Sequence, residues 1–173
     1  MNAVREFPAN PHALVIHTDA RLTDEIVETY VSDSSRAPDW VRRLLAIEGV
    51  RVVSLNTYKA RVQKHKNAAW NQVLDHVEGI LADGLAIGAI EDHVPASSDR
   101  RTFCWHHGPF TRRVFEGRSQ AAKHPLAGRL FAIDGVAEVI LDGNTVEIRR
   151  SPLFEWDELA ASIESSLDPE AWR

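Results

Sequence analysis

Between Arg100 and Arg129 the chain carries seven basic side chains, Arg100, Arg101, Arg112, Arg113, Arg118, Lys123 and Arg129, against one acid, Glu116. Phe103, Trp105, Phe110 and Phe115 lie among them, and His106, His107 and His124 add protonatable nitrogens. Guanidinium groups hold carboxylates and phosphates through paired hydrogen bonds, and Arg clusters recognise phosphorylated or acidic peptide segments. The window therefore reads as an anion-binding face, with Arg112, Arg113, Arg118 and His124 as its binding residues. A competing account is intramolecular. Residues 151–172 hold six acids (Glu155, Asp157, Glu158, Glu164, Asp168 and Glu170) and no Lys or Arg, so a last helix would balance a solvated basic strand face.

Cys104-Trp105-His106-His107 is a second set with chemistry in it. Thiolate and imidazole suit zinc or copper, and on a strand Cys104 and His106 share a face. A tight structural site takes four ligands, however, and only two converge locally; His17, His93 or His124 would have to be brought in by the fold. A half-buried strand with an inert thiol is the plainer expectation, and no metal or cofactor is expected. Enzyme signatures are missing: there is no Gly-rich phosphate loop, no His-Glu-x-x-His and no Gly-x-Ser-x-Gly. Asp75 and His76 share a helix but point to different faces. No catalytic residue is expected, and the chain reads as non-enzymatic.

Bulk composition narrows the setting. With 44% hydrophobic and 26% charged residues, net charge −5 and pI about 5.9, this is the profile of a soluble globular protein. It exerts no global pull toward nucleic acid or an acidic membrane, and neither is expected as a partner. One cysteine excludes an internal disulfide, so cytoplasm is the expected compartment. Met1 to His17 lacks the pattern of a signal peptide. No apolar run approaches the roughly 18 residues of a membrane span.

What must position these residues is a duplication. Leu44-Leu45-Ala46-Ile47-Glu48-Gly49-Val50 returns as Leu130-Phe131-Ala132-Ile133-Asp134-Gly135-Val136, a shift of 86 positions. The shift goes on to match Val53 with Val139, Leu55 with Leu141, Trp70 with Trp156 and Leu81 with Leu167. A fixed period of this size means two copies of one folding unit. A unit of about 75 residues buries only about two-thirds of its unfolded surface, so the copies are expected to touch.

Each copy reads strand, strand, helix, strand, strand, helix. Val136–Leu141 and Thr145–Arg149 flank Asp142-Gly143-Asn144, which suits a tight hairpin; Val50–Leu55 and Ala60–Gln63 flank a rougher turn at Asn56-Thr57-Tyr58. The opening strands fall at Ala13–Thr18 and Glu25–Val31, and at Arg101–His106 and Thr111–Glu116. Trp70, Val73, Leu74, Val77 and Leu81 recur at helical spacing, as do Trp156, Leu159, Ile163 and Leu167, which makes both tryptophans core anchors. Shorter helices start near Pro38 and Pro125, and Gly49 and Gly135 close them as left-handed caps. The fold class is α+β: two repeats of ββαββα, each a small antiparallel or mixed sheet with two helices on one face. Repeat one spans 7–82, a connector containing Gly84, Gly88 and Pro95 spans 83–99, and repeat two spans 100–168.

These residues also carry a family likeness. Pro8-Ala9-Asn10-Pro11-His12-Ala13-Leu14 resembles the Pro-Asn-Pro-Asn-Ala-Leu opening of the N-terminal domain of Nfu/NifU-type iron–sulfur scaffold proteins. Pro125-Leu126, Leu130-Phe131-Ala132-Ile133 and Gly135-Val136 resemble its small-helix signature, and Trp156-Asp157-Glu158-Leu159 its closing helix. Copy two lacks the Asn-Pro opening, and copy one has Leu45 where the family tends to have Phe. The resemblance implies a tandem of two such domains associated with iron–sulfur cluster assembly. In the family a separate Cys-x-x-Cys domain holds the cluster, and this chain has no such pair. The implied role is a protein-interaction adaptor whose partners are iron–sulfur assembly or client proteins, docking acidic or phosphorylated segments. Direct binding of iron, another metal or a cluster through Cys104 and histidines is the alternative, and an unrecognised enzyme a further one.

Overall fold

The computed structural model describes residues 1–94, 97–168 and 170; Pro95 of the expected connector and the end of the acidic segment at Trp172 lie outside them. Strand β1 (Ala3–Glu6) pairs antiparallel with β2 (Ala13–Thr18). A short β3 (Glu28–Tyr30) and helix α1 (Asp39–Leu45) lead to the hairpin of β4 (Val50–Asn56) and β5 (Lys59–Lys64), followed by helix α2 (Trp70–Gly84). β6 (Ile90–Asp92) then lies parallel to β1. After a 3-10 turn at Ser97–Asp99 come β7 (Arg100–Cys104), β8 (Phe110–Phe115), α3 (Arg118–Ala121), α4 (Pro125–Ala132), β9 (Val136–Gly143), β10 (Thr145–Arg150) and α5 (Trp156–Leu167).

The two halves repeat one architecture. Sheet one has the order β3-β4-β5-β2-β1-β6; sheet two, read from β8, is β8-β9-β10-β7. Without β1 and β6 the two orders are the same. Even the irregularities match. Val50 faces Lys64 and Val52 faces Gln63, so Arg51 bulges; Val136 faces Arg150 and Glu138 faces Arg149, so Ala137 bulges at the corresponding place. A bulge bends and twists its strand, and here both copies bend where the shorter helix feeds into the hairpin.

Each repeat has its own core. In the first, Val41, Leu44, Val50, Val53, Leu55, Val62, Val77 and Leu81 are buried together; in the second, Leu130, Val136, Val139, Leu141, Ile148, Trp156 and Ile163 are. β10 alternates with period two: Val146 and Ile148 are buried and Thr145 is exposed. Equivalent polar devices close both units. The indole N–H of Trp70 donates to the carbonyl of Pro11 at 3.0 Å, and that of Trp156 to the carbonyl of Ser98. The buried Lys64 donates to the carbonyl of Ala68 at 2.6 Å, and the buried Arg150, its counterpart, to that of Phe154. Each cation ties the end of its strand to the residue that precedes the last helix, where a carbonyl would otherwise lack a donor.

Two details differ from the sequence expectation. β1, β6 and α3 are additional elements, and the first two extend sheet one with residues outside 7–82. Gly49 and Gly135 do have left-handed φ, +102° and +93°. They sit in the turns that launch β4 and β9, after helices that have already ended at Leu45 and Ala132.

A Cβ on Gly135 would lie 2.6 Å from the Phe154 ring, in addition to the left-handed backbone. Gly135→Ala is therefore expected to destabilise the chain by at least about 1–2 kcal/mol. Gly79→Ala, within α2 and with nothing within 4 Å of the added carbon, is expected to stabilise it by about 0.5–1 kcal/mol. Urea midpoints of the two variants moving in the same direction would contradict this account of the turn.

Candidate functional site

Among the described residues, three of the seven basic side chains in the window pair with acids of their own molecule, and those acids are not on the last helix. Arg100 pairs with Glu138 at 2.9 Å and with Glu147. Arg112 pairs with Asp142 at 3.1 Å. Arg118 reaches across to Asp24 of repeat one at 3.9 Å, and the Arg101 guanidinium lies 4.8 Å above the Trp156 ring. The acids involved come from β9, β10 and repeat one; α5 lays its apolar stripe on the core and turns Asp157, Glu158 and Glu164 to solvent. Among the described residues, Glu155, near the start of that acid-rich segment, reaches the guanidinium of Arg150 at 3.9 Å.

Arg112 and Arg113 lie on β8, the edge strand of sheet two, and both are exposed. Arg113 has no ion pair among the described residues. It acts on His124, however, whose imidazole is pushed below its ordinary pKa by burial first and by the Arg113 charge second. His124 caps α4, its Nδ1 accepting the amide of Ala127 at 3.4 Å, with its ring packed near Phe110 and Phe115. The four expected residues thus divide. Arg112 and Arg113 share an open strand edge, Arg118 turns toward repeat one, and His124 is held neutral as a cap beside Arg113.

A cleft of about 210 Å³ between the repeats gathers a second set, which the sequence reading treated only as stray histidines. Burial of β2 on both faces puts His17 inside, with its Nε2 2.8 Å from a carboxylate oxygen of Glu6 on the neighbouring β1. Its ring meets that of His93 edge-on at 5.8 Å, and His93 is 3.7 Å from Asp99. Arg150 in turn pairs with Asp99 at 3.2 Å. Burial pulls the His17 pKa down, against the raising effect of Glu6. Lys59 nearby is likewise lowered, by burial first and then by the Arg149 charge. The one signal in the sequence was a histidine closing the apolar run Ala13-Leu14-Val15-Ile16.

Metal ligation gains nothing from the fold. Among the described residues no three His, Cys, Asp or Glu converge on one point. β7 ends at the exposed Cys104, so the strand that would align it with His106 stops short, and Trp105 turns inward against Phe110. No helix among the described residues is long and apolar enough to cross a membrane.

The repeats are joined by a tyrosine. Tyr58, at the tip of the β4–β5 hairpin, is buried; its hydroxyl accepts the amide of Gly135 at 2.9 Å, and its ring meets Phe154 edge-on at 5.6 Å. Arg21 lies over the same ring, donating to the carbonyl of Phe131 at 2.6 Å and pairing with Asp134 at 3.2 Å.

The family comparison bears on repeat two. Residues 106–170 match the family described as scaffold protein Nfu/NifU N terminal. The crystal structure of protein SAV1430 from Staphylococcus aureus is similar to 47% of this chain and 99% of its own, at 23% identity and a TM-score of 0.43. The solution structure of SeR13 from Staphylococcus epidermidis is similar over 46% of this chain and 92% of its own, at 24% identity and a TM-score of 0.36. No curated protein matches the chain.

His17 and His124 both have folded pKa values below the ordinary 6.5, so the unfolded chain binds more protons in that range. Stability is therefore expected to fall as the pH drops through 6.5 toward the folded values. His124→Asn, which keeps a good N-cap without a titrating ring, should hold stability at about pH 7.5 within about 0.5 kcal/mol. The same variant should lose less on going to about pH 5.5. Equal losses in variant and parent, measured by denaturant titration at both pH values, would remove His124 from the titrating set.

Proposed function

We propose that this chain, whose residues 106–170 form an Nfu/NifU N-terminal scaffold domain, is a non-enzymatic cytoplasmic adaptor in iron–sulfur cluster assembly. It comprises two like domains, 7–82 and 100–168, joined through 83–99. The domain type itself links the chain to iron–sulfur scaffolding. Its partner is an assembly or client protein that presents an acidic or phosphorylated segment.

One observation carries the docking step: Arg112 and Arg113 stand exposed on β8, which has no neighbouring strand on its outer side. An extended segment can add to a sheet edge through its backbone and reach pockets or charges with its side chains. The Arg112–Asp142 pair is solvent-exposed, with 63% and 52% of the two side chains accessible. Such a pair contributes between nothing and about 1 kcal/mol, so a phosphate or carboxylate arriving in bidentate geometry displaces Asp142 at little cost. Arg113 needs no displacement. Arg118 and His124 flank the edge, Arg118 within reach once it leaves the long contact to Asp24. The edge is open at its Thr111–Arg113 end; further along, the Gln120 side chain covers it by donating to the Val114 carbonyl at 3.2 Å.

Titration with an Asp/Glu-rich peptide and its phosphoserine counterpart, followed by NMR, should shift β8 resonances. The Arg112→Glu/Arg113→Glu double variant should weaken that binding by about ten- to a hundredfold, the range expected for charged hydrogen bonds. Undiminished binding in a folded double variant would remove these residues from the proposal. Anaerobic reconstitution with iron and sulfide should leave the chain colourless; a stable brown species lost in Cys104→Ser would replace the adaptor reading by cluster carriage.

A further inference from the structure

The Tyr58 joint has a counterpart in repeat one, and it is empty. Gly49 stands 86 positions before Gly135, with the same left-handed φ and the same use of its carbonyl. His65 donates to Gly49 at 2.7 Å as Ser151 donates to Gly135 at 2.7 Å. The amides differ. Gly135 N–H is taken by the Tyr58 hydroxyl, whereas Gly49 N–H has no acceptor among the described residues. Beside it Glu48, counterpart of the Asp134 that Arg21 engages, is exposed and has no ion pair among the described residues. Where repeat two has Phe154, repeat one has Ala68. Ala68 lines a cleft of about 940 Å³ with Glu48, Gly49, His65, Asn67 and His76; the corresponding cleft of repeat two, lined by Asp134, Phe154, Glu158 and Ser162, measures about 500 Å³.

We propose that the cleft over Gly49 docks a turn of another protein that presents a tyrosine with an arginine beside it. The filled site specifies the chemistry. A phenol hydroxyl accepts from the glycine amide, and a guanidinium over the phenol ring pairs with the adjacent carboxylate. A Gly49 amide, a free Glu48 carboxylate and extra room where Phe154 would stand call for the same two groups. A second copy of this chain does not supply them. It has two tyrosines; Tyr58 is committed to Gly135, and Tyr30 donates to Glu28 on β3. The hairpin tip of repeat two has Asn144 at the position of Tyr58. This surface lies in the other repeat from the β8 edge, so the inference does not depend on the anion-binding reading.

The test is an NMR titration of the full chain with N-acetyl-Arg-Tyr-amide and, separately, N-acetyl-Arg-Phe-amide. A ligand this small is expected to half-saturate at millimolar concentration, on the order of that allowed by its atom count. The Arg-Tyr probe should shift the Gly49 amide in a saturable way together with Glu48 and His65, while Gly135 stays in place; the Arg-Phe probe should leave the Gly49 amide largely unmoved. Ala68→Phe, which restores the ring that Tyr58 packs against in repeat two, should strengthen the Arg-Tyr probe. Should that variant fail to fold, Glu48→Lys at an exposed position should weaken the Arg-Tyr probe at least about threefold. A Gly49 amide unmoved by both probes, moved equally by both, or shifted as readily in Glu48→Lys would overturn the proposal.

Discussion

The amide of Gly135, a buried residue held at φ +93°, finds its acceptor in the other repeat, at the Tyr58 hydroxyl. A buried N–H left without a partner costs about 1–3 kcal/mol. The Tyr58 hydroxyl removes that cost from the other half of the chain, and burial raises the Tyr58 pKa so that the hydroxyl stays protonated. The arrangement of the two halves depends on this contact. A small unit that closes only about two-thirds of its surface gains from any partner that also satisfies a polar orphan. Around Tyr58 the joint is polar as well as apolar. The carbonyl of Asp24 accepts the Ser119 amide at 2.8 Å, the Ser119 hydroxyl donates to Glu25 at 2.9 Å, and Ser151 donates to the Thr18 carbonyl at 3.4 Å.

Directional contacts of this kind fix an orientation more sharply than an apolar patch would. That orientation also sets the surroundings of His17 and Glu6, neighbours on β2 and β1, which share a cleft with Arg100, Arg149 and Arg150 of repeat two. The inter-repeat cleft is a product of docking: Glu6 and His17 enter it from repeat one, and Arg100, Arg149 and Arg150 from repeat two.

The period of 86 made the architecture legible, since core positions, bulges, tryptophan anchors and buried cations all recur at it. Ala13–Thr18 could be placed to the residue from its apolar run, whereas the expected Glu25–Val31 is a strand only over Glu28–Tyr30. β1 and β6 were not legible: they are four and three residues long and are strands only because each has the other, and β2, to pair with. The arginines could be counted but not assigned, because Glu138, Asp142 and Asp24 meet them only through sheet register and repeat docking. The cap at His124 was hidden for another reason. Histidine is an uncommon N-cap, and its proximity to Pro125 could as well have been read as a turn.

The joint is heterologous: the hairpin face of one unit meets the glycine-turn face of the next. An interface of that type leaves one acceptor face and one hairpin face unused, and if both kept their chemistry the chain would polymerise head to tail unless the rotation closed a ring. The duplicated sequence has diverged at the positions that would allow this. Asn144 replaces the tyrosine on the free hairpin, and it cannot bring an aromatic ring into the open cleft. Ala68 stands where repeat two has the phenylalanine that the phenol leans on, so the open cleft is wider than its sibling. Divergence has thus kept the internal joint and altered both halves of the external one. The glycine, with its left-handed turn and inward carbonyl bond, has been retained at Gly49, where no internal tyrosine uses its amide.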